Sequence, residues 1–255
     1  MEKIKEICTN LLIEKVEVRT EKDADVRQYV QHIKVKWEEV EFPETFKAVQ
    51  KFLQSCRKSK LEEVQKYGYC NSINVSKGEL LGIQGELQKK VSSGEKEFEA
   101  LRSMSLVAEA LKVEHALELL ETQGVKQSYT YLQNLQQEAP TSKTKAVKNL
   151  VMDENFKSAA YLAEQLDNEN TPYPKLIKLK ELVERELAAE HSSKIIIFTQ
   201  FRNSAEEIVK ALGEINVTAN IFVGQAKKNG VGFSQKQQKE ILDRFRIGEF
   251  SVLVA

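Results

Sequence analysis

Lys47, Lys51 and Lys58 recur four and seven residues apart, and in an α-helix that spacing sets three cations on one face. Such a stripe could neutralise successive phosphates of a nucleic-acid backbone. No acidic residue interrupts the stretch 45–61. A solvated helix face also collects lysines, so the stripe alone leaves both readings open. A second candidate is Gly224-Gln-Ala-Lys-Lys-Asn-Gly-Val-Gly-Phe233, which leads from a strand into a helix capped by Ser234. Its glycines allow a tight backbone path, its lysines add positive charge, and the helix start offers free N–H groups, which together suit a phosphate. An ordinary surface loop has the same composition, and that reading stands beside it.

Nucleotide chemistry has no such footing. The pattern G-x-x-x-x-G-K-[S/T] occurs nowhere in the sequence, so the backbone cradle and lysine that hold a β,γ-phosphate are missing. Leu150-Val-Met-Asp-Glu154 resembles an apolar run followed by a Mg²⁺-binding acidic pair, but it is short and lies within helical sequence. Asp153 is expected to be a helix cap. Cys8, Cys56 and Cys70 are odd in number with no C-x-x-C spacing, which suggests neither a disulfide framework nor a zinc site. His32, His115 and His191 are scattered and read as structural. Lysine plus arginine equals aspartate plus glutamate at 38 each, so a nucleic-acid surface would have to come from uneven placement of charge. With 41% apolar residues the chain can bury a core, and no run approaches the roughly 18 apolar residues of a membrane span. The start is amphipathic and carries acidic residues, unlike a targeting peptide, which predicts the cytosol.

These candidates sit on three zones of different texture. In the first, an amphipathic helix bearing Ile4, Ile7, Leu11 and Leu12 precedes the segment 32–42. There Ile33, Val35 and Trp37 alternate with Lys34, Lys36 and Glu38, which predicts a half-buried strand ended by Pro43. From 43 to about 170 the period is helical. Phe46, Val49, Leu53 and Cys56 form one apolar stripe, opposite the lysines. Ser76 and Glu79 make a capping box for a helix whose Gly78, Gly82 and Gly85 each cost about 1 kcal/mol. The segment 106–120 is apolar on most faces and is expected to be the central helix, capped by Gly124, with further helices from Gln127, Ser142 and Asp153. From Thr171, after Pro172 and Pro174, helices alternate with strands at 195–199, 219–223 and 250–255. Asn203 is expected to cap one helix, and Ser234 with Gln237 another. This predicts an α/β parallel sheet joined to an all-α bundle. The last strand runs to Ala255, so the chain is expected to be a piece of a longer protein whose remaining loops lie beyond that strand.

Lys194-Ile-Ile-Ile-Phe-Thr-Gln-Phe-Arg202 resembles helicase motif IV, and the run from Phe222-Val-Gly-Gln225 through Gly232-Phe-Ser-Gln-Lys-Gln-Gln238 to Ala255 resembles the approach to motif V. Lys112-Val-Glu-His-Ala-Leu-Glu-Leu-Leu-Glu-Thr-Gln-Gly124 resembles a signature of the helical insertion in archaeal Hef helicase/nuclease proteins and the Fanconi anaemia M helicase. Val26-Arg-Gln-Tyr-Val30 and Trp37 resemble that family's stretch after motif III. Tyr173-Pro-Lys175 stands where His-Pro-Lys is expected.

The resemblance covers essentially the whole chain and implies part of a superfamily 2 DNA helicase. Residues 1–42 would be the end of lobe 1 and an early strand of lobe 2, 43–170 a thumb-like helical insertion, and 171–255 the first part of the RecA-like lobe 2. Motifs I and II would precede Met1, and motifs V and VI would lie beyond Ala255. The parent would use ATP and Mg²⁺, act on forked or branched DNA in replication and repair, work beside proteins of those processes, and in some members carry a nuclease domain. It would be cytoplasmic in an archaeon or nuclear in a eukaryote. This piece, with no phosphate loop, is expected to bind DNA and not to hydrolyse ATP. The site residues so implied are Lys47, Lys51 and Lys58 on the insertion, and Thr199, Gln200, Arg202, Gly224, Gln225, Ser234, Gln235 and Gln238 along the tracking strand. A protein-docking module and a fragment of a double-stranded-RNA helicase are the alternatives.

Overall fold

The computed structural model of the protein describes residues 2–30, 33–94, 97–190, 192–224 and 232–255. The chain divides into two compact units, Met1–Glu39 and Val40–Ala255. In the first, the amphipathic period gives helix α1 (Glu2–Asn10), and a single turn, α2 (Ala24–Arg27), follows. The expected strand over 32–42 does not form. His32 lies outside the described residues, and 33–42 are irregular, with Ile33, Val35 and Trp37 exposed at 87%, 68% and 90%. Alternation makes a segment fit to lie on a sheet, but only a ladder partner satisfies its backbone groups, and no described residue pairs with it.

In the second unit the helical period is obeyed throughout its first part. Helix α3 (Glu44–Lys66) buries Phe46, Val49, Leu53 and Cys56 on one face. Helix α4 (Lys77–Ser92) opens on the expected capping box: Ser76 Oγ accepts from the Glu79 N–H at 3.3 Å, and the Ser76 N–H donates to the Glu79 carboxylate at 2.6 Å. It forms despite its three glycines because Leu80 and Leu87 are fully buried. Helix α5 (Phe98–Gln123) is longer than expected and is the centre of the bundle, with buried residues on most of its faces. It packs against α3, α4, α6 (Val125–Glu138) and α7 (Lys145–Met152), while α8 (Glu154–Asn168) closes against α3 and α6. Gly124 both ends α5 and begins α6, at φ 90° and ψ −177°, a conformation open to glycine alone.

Pro174 then starts α9 (Pro174–Ala189), where its missing N–H costs nothing. The rest alternates: β1 (Ile195–Ile197), α10 (Arg202–Glu214), β2 (Ala219–Ile221), α11 (Gln235–Arg246) and β3 (Val252–Val254). All strands are parallel in the order β1-β3-β2, with Val252 in register with both Ile195 and Ala219. The central strand is buried on both sides, as its continuous apolar run requires. Val252 and Val254 pack with Val183, Ala205 and Leu212 under α9 and α10, while Leu253 packs with Phe245 and Phe250 under α11.

Candidate nucleic-acid interface

Parallel strands present all their carboxyl ends at one edge, and in this sheet that edge collects the motif IV segment and the start of α11. Thr199 leaves β1 with its N–H donating to the Ala255 carbonyl at 2.7 Å, so its backbone stays locked to the central strand. Gln200 is exposed, and its amide donates to Glu118 of α5 at 3.4 Å. Phe201 occupies the N-cap position of α10, and Arg202 is the helix's first residue. Asn203, expected to be the cap, therefore lies inside the helix. The chain path out of β1 fixes where α10 starts, and that overrides the local capping preference of asparagine.

The carboxyl end of β2 leads to Gly224, whose carbonyl accepts from the Phe233 N–H at 3.3 Å. Ser234 caps α11: its Oγ accepts from the Gln237 N–H at 3.3 Å, and its N–H donates to the Gln237 side-chain oxygen at 2.9 Å. Gln235 is exposed in the first turn, whereas Gln238 is tied back to the Val223 carbonyl at 3.0 Å. Gln225 and the lysines of the loop lie outside the described residues.

The lysine stripe is on α3 and faces solvent. Lys47 pairs with Glu44 at 2.6 Å, a bond that with the adjacent carboxylate charge holds its ammonium above its usual value, and Lys58 lies 3.8 Å from Glu62. Lys51 is exposed and makes no ion pair among the described residues. Exposed pairs of this kind are screened by solvent and salt and contribute little, so a phosphate can replace either carboxylate. The acidic side chains of α5 beside α3 are already engaged. Glu114 meets Arg57 and Glu118 meets Lys77, each at 2.6 Å, and Glu121 accepts from Gln50 at 2.7 Å. The Lys77 bond holds Glu118 below the usual carboxylate range against the opposing effect of burial.

The bundle meets the lobe through the end of α5. Tyr173 Oη and Lys175 Nζ both donate to the Glu121 carbonyl, at 3.0 and 2.8 Å, satisfying a backbone group that the helix end leaves open. Ser204 Oγ donates to Gln123 Oε1 at 2.7 Å, and both residues are buried. His115 lies edge-on to Tyr131 at 4.7 Å and 6.3 Å from Phe201. Sequence reasoning does not single out these contacts. The available signal is an amide, Gln123, at the end of the central helix next to a glycine.

The resemblance implies ATP and Mg²⁺ for the whole helicase, and the run 150–154, which resembles a Mg²⁺-binding acidic pair, does not fit that role. Asp153 is committed as a cap: its Oδ1 accepts from the Asn155 and Phe156 N–H groups at 2.9 and 3.2 Å, and its Oδ2 accepts from Lys60 at 2.6 Å. Among the described residues no cluster of histidine, cysteine, aspartate or glutamate could hold a metal ion.

Residues 45–170 match a family model described as "Putative ATP-dependent RNA helicase, helical bundle", and residues 174–255 match the helicase conserved C-terminal domain. A protein of Methanocaldococcus jannaschii named "Putative ATP-dependent RNA helicase MJ1505" is 38% identical over 100% of this chain and 31% of its own length. The ATP-dependent DNA helicase fml1 of Schizosaccharomyces pombe is 28% identical over 100% of this chain and 32% of its own. The crystal structure of the Pyrococcus furiosus Hef helicase domain superposes with a TM-score of 0.79 at 38% identity, covering 100% of this chain and 52% of that one. The chain thus spans about a third of the length of the two curated relatives. With its helical bundle and helicase C-terminal lobe matched in order, it belongs to the superfamily 2 helicase family of Hef and the Fanconi anaemia M helicase.

Proposed function

We propose that this chain is the part of an ATP-dependent DNA helicase or translocase that grips forked or branched DNA, with ATP hydrolysis supplied by other parts of the parent. Lys47, Lys51 and Lys58 would contact duplex phosphates, and Thr199, Gln200, Arg202, Gly224, Ser234 and Gln235 would contact the tracking strand. Gln238 would act by holding the start of α11 to β2. The observation that carries the reading is the shared carboxyl edge of the sheet: motif IV and the Ser234-capped start of α11 converge there, beside the docked end of α5. Exposed N–H groups at a helix start and a cationic stripe bind phosphates without reading bases, so the grip follows shape and not sequence.

A second reading, duplex RNA, is favoured by the RNA-helicase description of the matching bundle model. A competition between labelled forked DNA and unlabelled duplex RNA, repeated across a salt series, tests both. Fork binding that weakens steeply with salt and resists duplex RNA supports the proposal. Displacement by equimolar duplex RNA contradicts it in favour of RNA, and salt-independent or absent binding contradicts any phosphate grip.

A further inference from the structure

Between α5, α6 and the turn from β1 into α10 lies a cleft of about 770 Å³, within the size range of small-ligand sites. We propose that this cleft receives one unpaired nucleobase of the DNA strand that the chain grips. The inference rests on the DNA reading above and deepens it.

The lining has the chemistry of a base site and not of a phosphate site. Among the described residues of its lining, the formal charges are Arg202 and Glu206, which are of opposite sign, and there is no lysine. Those two charges offset each other for a backbone phosphate, whereas a neutral base carries no charge to desolvate and needs only partners for its polar edges. Three rings are present: His115 contacts Tyr131 edge-on at 4.7 Å and lies 6.3 Å from Phe201. All three are half-buried, and an aromatic ring in a cleft wall is a stacking platform for any base.

The polar groups match base edges. Gln127, Asn134 and Asn203 line the cleft, and none of their side chains hydrogen-bonds to protein among the described residues. Each carboxamide offers a donor and an acceptor side by side, the pattern that pairs with an exposed base edge. The Tyr131 hydroxyl is likewise without a protein partner among the described residues, and burial pushes its pKa up to about 12, so it remains a neutral donor.

The cleft is formed in advance and placed on the strand path. The buried Ser204–Gln123 bond holds α10 against α5 behind it. Gln200, Phe201 and Arg202, which line it, continue directly from Thr199 at the carboxyl edge of the sheet. Taking a base from a duplex costs unpairing and unstacking, but a fork supplies bases that are already unpaired.

The test measures affinity of the 255-residue chain for forked DNA in which a single abasic site is moved through the unpaired nucleotides. Wild type is compared with Tyr131→Leu, which removes a ring at similar bulk, and with the double variant Gln127→Ala, Asn134→Ala, both at helix positions where alanine is favoured. The proposal expects one position at which the abasic site weakens wild-type binding about 5- to 150-fold, and at which both variants lose that dependence. Uniform affinity across all abasic positions, with the intact fork still bound in a salt-dependent way, would overturn the base site and leave the DNA reading standing. Position dependence that persists unchanged in both variants would also overturn it, since the base would then be held elsewhere. Failure to bind the intact fork at all would overturn both.

Discussion

The hydroxyl of Ser204 donates to the side-chain oxygen of Gln123 across 2.7 Å, and this buried bond ties the first turn of α10 to the last turn of the bundle's central helix. The Gln123 nitrogen has no partner among the described residues, so among them this bond is what satisfies the side chain. Ser204→Ala should therefore cost about 1–3 kcal/mol, because a buried amide is left wholly unpaired. Pairing it with Gln123→Leu should recover part of the loss. Chemical denaturation of the two variants checks this, and a single variant within about 0.5 kcal/mol of wild type would show that the bond contributes little.

Gly124 and Tyr173 are coupled in a different way. A Cβ at Gly124 would stand 2.9 Å from the Tyr173 ring, which is held in place by its hydroxyl on the Glu121 carbonyl. Gly124→Ala adds backbone strain of about 1–3 kcal/mol to that clash. Adding Tyr173→Ala should relieve only the clash, so the double variant should be less unstable than the sum of the two single changes. Simple additivity in thermal unfolding would contradict the contact.

Gly82 and Gly85 have open space around them and ordinary backbone angles. Each change to alanine should stabilise the protein by about 0.5–1 kcal/mol, seen as a higher denaturant midpoint with an unchanged slope. A loss of stability would mean that α4 needs its glycines for close approach.

The Lys60, Asp153 and Glu109 cluster predicts part of the acid response. Burial alone would raise the Asp153 pKa, but the Lys60 bond and charge and the Phe156 N–H outweigh it and hold the carboxyl below the usual aspartate range. A depressed carboxylate contributes stability above its unfolded pKa and loses it as pH falls through the lower folded value. Glu109, 1% exposed, is raised by desolvation, so its contribution has the opposite sign and is lost as pH rises above the ordinary glutamate range. Asp153→Asn keeps a capping oxygen but removes the negative charge that faces Lys60. It should destabilise at pH 7 and flatten the decline in stability below about pH 4. An unchanged acid limb would assign that decline to other carboxylates.

Both capping boxes, at Ser76 and Ser234, are legible in the sequence because each is a closed circuit of neighbouring residues. The bundle and the parallel sheet are legible for a similar reason, since hydrophobic period follows directly from burial on one face or two. Asn203 and the segment 33–42 depart from expectation where a tertiary partner decides: the path out of β1 starts α10 ahead of the asparagine, and alternation without a ladder makes no strand. The Gln123–Ser204 bond and the cleft around Tyr131 join positions far apart in the chain, and no local pattern marks them.

The grip on DNA is tested most directly by replacing Lys47, Lys51 and Lys58 together with glutamine and measuring forked-DNA affinity across a salt series. Glutamine is about as good a helix former, and among the described residues the ion pairs broken are two weak exposed ones, with Glu44 and Glu62, so folding should survive. A phosphate grip through this stripe predicts weaker fork binding on every sequence alike and a slope of log K against log salt reduced by up to about 3, at roughly 0.9 for each phosphate that a lysine no longer neutralises. Wild-type affinity with an unchanged slope would contradict it and leave the stripe as a solvated face of α3.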